Sequence, residues 1–71
     1  MEEISIHTDF IKLDALMKFS ALAESGGEAK QLIAGGLVKV NGEVCLQRGK
    51  KLFPGDTVFF EGQTVRVVNE Y

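Results

Sequence analysis

Tryptophan is absent from this 71-residue chain, and cysteine, histidine, proline and tyrosine occur once each. A lone Cys45 can close no internal disulfide, so the scaffold of small secreted domains is excluded and a cytoplasmic setting is expected. One cysteine and one histidine are too few ligands for a protein-only zinc site. No apolar run approaches the roughly 20 residues of a membrane span. The acidic opening Met1-Glu2-Glu3 does not read as a secretory leader. Catalytic constellations are missing as well. There are no carboxylates paired for a cleft, no nucleophile with a base at a telling spacing, and no phosphate loop ending in Lys-Ser. His7 has no Cys or Ser partner and reads as a surface strand residue. A non-enzymatic protein without cofactor or metal is expected.

What is present suffices for one folded domain, residues 1–71, with 45% apolar residues. So small a domain buries only about 60% of the surface of its unfolded chain. The net charge of −2 argues on its face against a nucleic-acid partner, but the distribution argues the other way. Between Lys30 and Lys51, five cations (Lys30, Lys39, Arg48, Lys50, Lys51) face a single acid, Glu43, a local +4. Residues 1–29 carry −4 and residues 52–71 carry −2. A partner responds to this local field more than to the sum.

Ile4-Ser5-Ile6-His7 alternates like a short strand. A first helix is expected over Lys12–Leu22, with Phe10, Leu13, Leu16 and Met17 on its apolar stripe. Ala23-Glu24 connects it to a second helix, whose buried face is Ala29, Leu32 and Ile33 and which ends at Gly35-Gly36. Leu37–Val40 reads as a strand with Val38 and Val40 inward and Lys39 outward. Asn41-Gly42 marks a type I′ hairpin, and Glu43–Leu46 returns antiparallel. Gln47–Lys51 is a basic loop, and Pro54-Gly55 fits a type II turn. Thr57–Glu61 and Thr64–Val68 are two further strands about a turn at Gly62-Gln63. Phe53, Phe59 and Phe60 read as core residues, one of Phe59 and Phe60 facing outward by alternation. Cys45 is expected against a helix or at a strand edge. The fold class is α+β, two helices packed on a small, mainly antiparallel sheet.

The second helix begins unusually, with Ser25-Gly26-Gly27-Glu28-Ala29-Lys30. Ser25 is a good N-cap, and Glu28 three residues later completes a capping box. Its carboxylate is expected to turn back to the Ser25 amide. Gly26 and Gly27 are poor helix formers, each up to about 1 kcal/mol worse than Ala in a helix interior. Bare backbone at the positive end of a helix lets a phosphate approach the unpaired N–H groups. Lys30 follows one turn after Gly26 on the same face.

Together, Lys12-Leu13-Asp14, Ser25-Gly26-Gly27-Glu28-Ala29-Lys30, Leu32-Ile33, Gly36, Val38-Lys39-Val40-Asn41-Gly42 and Lys51-Leu52 followed by Pro54-Gly55-Asp56 resemble the S-four-type RNA-binding domain, across residues 11–61. Within that family the chain looks like the stand-alone bacterial subgroup of the YaaA and YbcJ type. The resemblance implies a two-helix RNA-binding motif on a small antiparallel sheet. It also implies structured RNA, ribosomal or tRNA-like, as the partner, with the ribosome or its precursors as the setting. Many relatives carry Arg where this chain has Gly26, which shifts weight from a side chain to backbone amides. Lys12 stands where the first-helix motif usually has Arg, exchanging a planar fork for a point charge.

The candidate RNA contacts are Lys12, Ser25, Gly26, Gly27, Lys30, Gln31, Lys39, Asn41, Arg48, Lys50 and Lys51. Lys30 is expected to hold phosphate and Gln31 to reach sugar or a base edge. Lys30, Lys39, Arg48, Lys50 and Lys51 are expected to line one groove. Asn41 is a turn residue first and an RNA contact second. Shape and phosphate recognition of a folded RNA by a monomer is the expected mode. A protein-interaction adaptor of the translation or ribosome-assembly machinery is the alternative. A sulfur-carrier reading is set aside because the chain ends Asn69-Glu70-Tyr71 rather than in Gly-Gly.

Overall fold

The computed structural model describes residues 1–70; Tyr71, the last residue of the expected domain, lies outside the described residues. The chain runs through β1 (Glu2–Ile6), β2 (Ile11–Lys12), α1 (Leu13–Phe19), α2 (Gly26–Ala34), β3 (Lys39–Val40), β4 (Glu43–Val44), β5 (Lys51–Leu52), β6 (Thr57–Phe60) and β7 (Gln63–Asn69). Five strands form one sheet in the order β1-β7-β6-β3-β4, and β2 pairs with β5 in a separate ladder. The pairings are antiparallel except for β1 and β7, which run parallel with Glu2 opposite Val65 and Ile6 opposite Asn69. The class is therefore α+β, with two helices and a mainly antiparallel sheet.

One apolar core joins the layers. Leu13, Leu16 and Met17 of α1 and Ala29 and Ile33 of α2 meet Val40, Val58, Phe60, Val65 and Val67 from the sheet and Val38 just before β3. Each fully buried side chain of this size contributes about 1.5–3 kcal/mol. Alternation does the sorting: along β6 Val58 and Phe60 are buried while Phe59 is exposed, and along β7 Val65 and Val67 are buried while Arg66 is exposed. Among the described residues no polar or charged side chain is buried.

The local turn chemistry matches the residues. Asn41 (φ 51°) and Gly42 (φ 87°) are both left-handed, as a type I′ turn requires. Gly55 (φ 101°) closes the turn in which the Asp56 amide donates to the Phe53 carbonyl at 2.9 Å. At the end of α2, Gly36 (φ 77°) donates to the Ile33 carbonyl and Leu37 to the Leu32 carbonyl, a Schellman close.

Several expectations need correcting. Lys12 belongs to β2 rather than to the helix, and α1 ends at Phe19, three residues before Leu22. The stop is Ala21, at φ 63°. This left-handed residue costs about 1–2 kcal/mol. It turns the chain so that Leu22 and Ala23 enter the core, with the Ala23 amide donating back to Met17. Phe10 precedes β2 and also falls outside the helix. The turn between β6 and β7 is Glu61-Gly62, not Gly62-Gln63, because Phe60 pairs with Gln63 and both loop residues are left-handed. The return strand of the first hairpin is paired only over Glu43–Val44. Leu32 is half-buried rather than buried. Phe60 alone of the three phenylalanines is core; Phe59 is 41% and Phe53 49% exposed. Phe53 follows the buried Leu52 and therefore alternates outward.

Candidate nucleic-acid interface

The starts of the two helices organise the candidate residues. At the start of α2 the Ser25 hydroxyl accepts the Glu28 amide at 3.1 Å, as a capping serine should. The Glu28 carboxylate does not return to the Ser25 amide. Ser25 is extended, and the amide that faces the carboxylate is that of Glu24, 3.3 Å away. Gly26 and Gly27 sit in the first turn with ordinary helical backbone; neither has a left-handed φ. A methyl group at Gly26 would meet nothing within 4 Å, and at Gly27 only the Ser25 hydroxyl at 3.8 Å. Neither close packing nor turn geometry therefore calls for glycine here. Among the described residues the amides of Gly26 and Gly27 have no protein acceptor. Both face solvent at the positive end of the helix. Lys30 and Gln31 stand exposed in the next turn.

The start of α1 is built differently. Its first amides are occupied: Leu13 donates to the Lys50 carbonyl at 2.9 Å and Asp14 to the Arg48 carbonyl at 3.1 Å. The basic loop is thus pinned by its backbone to the helix, which leaves its side chains outside. In the β2–β5 ladder Ile11 pairs with Leu52 and Lys12 with Lys51. Ile11 and Leu52 turn toward the core, so Lys12 and Lys51 emerge side by side on the other face. Among the described residues the one side-chain ion pair joins His7 to Glu70, at 3.4 Å on the surface. The backbone thus brings Lys12, Arg48, Lys50 and Lys51 to the start of α1, and among the described residues none of the four forms a salt bridge. Like charges placed directly opposite in a ladder are destabilising, and an anionic partner would relieve that cost.

Lys39 does not join this group. It alternates with the buried Val38 and Val40 and leaves the sheet on the face away from the helices, opposite Phe59 on β6 and Val44 on β4. The single groove expected through Lys39 is interrupted by that alternation. Lys50 instead lines a shallow groove with Asn41, Glu43, Val44, Leu46 and Gln47. Asn41 serves the fold: its side-chain Oδ1 accepts the Thr57 backbone amide at 3.0 Å, and its side-chain Nδ2 donates to Asp56 Oδ1 at 3.0 Å. Asp56 in turn holds the Phe53 amide at 2.8 Å. Cys45 is half-buried beside β4 and donates to the Gln47 carbonyl at 3.6 Å.

Two features escaped the sequence. One is the β2–β5 ladder, whose strands are two residues each and carry no periodic signal. The other is Phe10, which packs against Phe53 at 6.0 Å between ring centres and lies under the Lys51 ammonium at 4.8 Å. No group of His, Cys, Asp or Glu that could hold a metal occurs among the described residues. Nor is any of their helices long and apolar enough to cross a membrane.

Comparison with known proteins identifies relatives along most of the chain. The chain is 42% identical over 67 residues to the probable ribosome maturation protein RlbA of Bacillus subtilis, covering 93% of this chain and 94% of that protein. It is 43% identical over 58 residues to the putative RNA-binding protein YbcJ of Escherichia coli, covering 82% of this chain and 83% of the relative. The solution structure of YbcJ, described as revealing a motif involved in RNA binding, superposes with a TM-score of 0.65 at 39% identity, over 94% of this chain and 84% of that one. A family model, the S4 domain, matches residues 4–68, nearly the whole length, and the chain belongs to the S4 domain family.

Proposed function

We propose that this protein is a non-catalytic binder of structured RNA, either ribosomal RNA or a ribosome precursor, acting as a monomer in the cytoplasm. The carrying observation is the paired Lys12 and Lys51, joined at the start of α1 by Arg48 and Lys50 and left without carboxylate partners. These four cations grip the phosphate backbone. The open amides of Gly26 and Gly27, with Ser25, Lys30 and Gln31 beside them, take a second phosphate and its sugar. Lys39 adds a contact from the outer sheet face. Asn41 contributes mainly by holding Asp56 and Thr57 in place. The names of the two relatives, a ribosome maturation protein and an RNA-binding protein, support this reading.

Cross-linking in cells followed by sequencing of the captured RNA tests it, with a variant in which Arg48, Lys50 and Lys51 are all Gln as control. Ribosomal or precursor RNA captured by the parent and lost by the variant is the expected result. A second reading, a protein adaptor, rests on the exposed Leu37, Val44 and Leu46; Val44 and Leu46 both border Gly36. An adaptor would keep its partners in the same variant and capture no RNA in either form.

A further inference from the structure

The outward face of the β2–β5 ladder carries more than charge. Its register places Lys12 opposite Lys51, and two residues along, Phe10 packs against Phe53, their planes tilted by 52°. Two cations and two aromatic rings thus share one small surface, whose other side, Ile11 and Leu52, is turned to the core. The rings are not equivalent. Phe10 is half-buried, and its face is taken by the Lys51 ammonium at 4.8 Å. Phe53 is 49% exposed.

Phe53 is also held firmly. Its amide donates to one Asp56 carboxylate oxygen at 2.8 Å, its carbonyl accepts the Asp56 amide at 2.9 Å, and the other Asp56 oxygen takes the Asn41 side chain at 3.0 Å. A single exposed phenylalanine means little. A ring on a fixed backbone, packed against Phe10 and beside lysines without carboxylate partners, matches the two requirements of a nucleotide: a π-face for the base and cations for the phosphates around it. Phe59, the outward phenylalanine of the five-stranded sheet, lies opposite one cation, Lys39, on β3 and opposite Thr64 on β7. The carboxylate bonded to Phe53, that of Asp56, has both oxygens engaged in the bonds just described.

We propose that Phe53 stacks an unpaired nucleobase of the bound RNA while Lys51 and Lys12 hold the phosphates on either side of it. This rests on the RNA-binding reading and sharpens it. The ligand is a folded RNA that presents an extruded or bulged base next to a helix, not a uniform duplex.

Two hairpins with the same stem test it, one fully paired and one carrying a single bulged 2-aminopurine. They are titrated with the full chain at low salt. The parent protein is expected to prefer the bulged hairpin by about 5- to 150-fold and to quench its fluorescence, the range found for base–aromatic stacking. Phe53→Leu, which keeps apolar bulk and loses the π-face, should abolish both the preference and the quench and leave affinity for the paired hairpin unchanged. Phe53→Trp should keep the preference; its indole, the only one in the chain, should dim on binding the bulged RNA. Equal binding of the two hairpins by the parent overturns the proposal, as does a preference that survives Phe53→Leu. Should the leucine variant fail to fold, as thermal melting would reveal, the tryptophan variant decides: an indole unaffected by bound bulged RNA is equally fatal. Binding of neither hairpin by the parent ends the RNA reading itself, and the stacking site with it.

Discussion

The two helix starts solve one physical problem in opposite ways. Every helix begins with backbone amides that lack intrahelical partners. At α1 the fold occupies them with the carbonyls of Lys50 and Arg48, and what remains outside is side-chain charge. At α2 one serine oxygen takes one amide, and two glycines leave the others bare on the surface. The first start uses its amides to position a basic loop, so its cations come with fixed spacing. The second keeps its amides available to a ligand. On the proposed reading, the charge that would attract an RNA lies on the strands and loop around the start of α1 and the donors that would fix it lie at the start of α2, so changes at each should have different signatures.

The largest expected effect belongs to the α1 side. If Lys12, Arg48, Lys50 and Lys51 each hold a phosphate, four contacts at slopes near 0.7–0.9 mean that a fourfold rise in salt weakens RNA binding by about 50- to 150-fold. Titration of a duplex-containing RNA at two salt concentrations measures this, and a salt-insensitive Kd would remove α1 from the interface. The double variant Lys12→Gln, Lys51→Gln should halve the slope, so that the same change in salt costs only about 7- to 12-fold. Its folding should be unharmed or slightly improved, because a like-charge pair is relieved. Loss of folding instead would make the pair a structural feature.

The α2 side separates binding from stability. Replacing both Gly26 and Gly27 with Ala should hold or raise the melting temperature, since each methyl group enters open space and Ala is the better helix former. RNA affinity should fall by about tenfold, the equivalent of one charge-assisted hydrogen bond of about 1.5 kcal/mol. A double variant that melts higher and binds RNA as tightly as the parent would mean that α2 makes no phosphate contact. The smallest effect is expected from Ser25→Ala. Loss of the Glu28 amide's acceptor should cost about 1 kcal/mol. In a domain of this size that lowers the melting temperature by about 4–8 °C, read by calorimetry. An unchanged melting temperature would show that the cap is dispensable.

Much of this molecule could be read from short stretches of residues. Asn41-Gly42 announced its hairpin, Pro54-Gly55 its turn, Ser25 and Glu28 the start of α2, and Gly35-Gly36 its end. In each case the free energy that selects the conformation lies within four or five residues: a left-handed φ that glycine or asparagine tolerates, or a hydroxyl one turn from an amide. The spacing of Val38, Val40, Ala29 and Ile33 likewise announced which faces are buried. The candidate lysines were visible as a charge cluster, but their grouping was not.

What stayed hidden depends on partners far apart in the chain. Lys12 reads as a helix residue until Lys51, thirty-nine positions later, pairs with it. Ala21 reads as helix until burial of Leu22 and Ala23 outweighs the strain of its left-handed backbone. Lys39 and Lys50 belong to the same basic segment, yet strand alternation sends the first to the outer sheet face while the other lines a groove beside the first hairpin. Phe53 reads as core, but the ladder turns Leu52 inward in its place. Local torsional preferences and side-chain caps operate over a few residues and leave their mark on composition. Pairing across the fold is decided by which burial and hydrogen bonds are jointly satisfied, and two-residue strands leave no periodic trace of that choice.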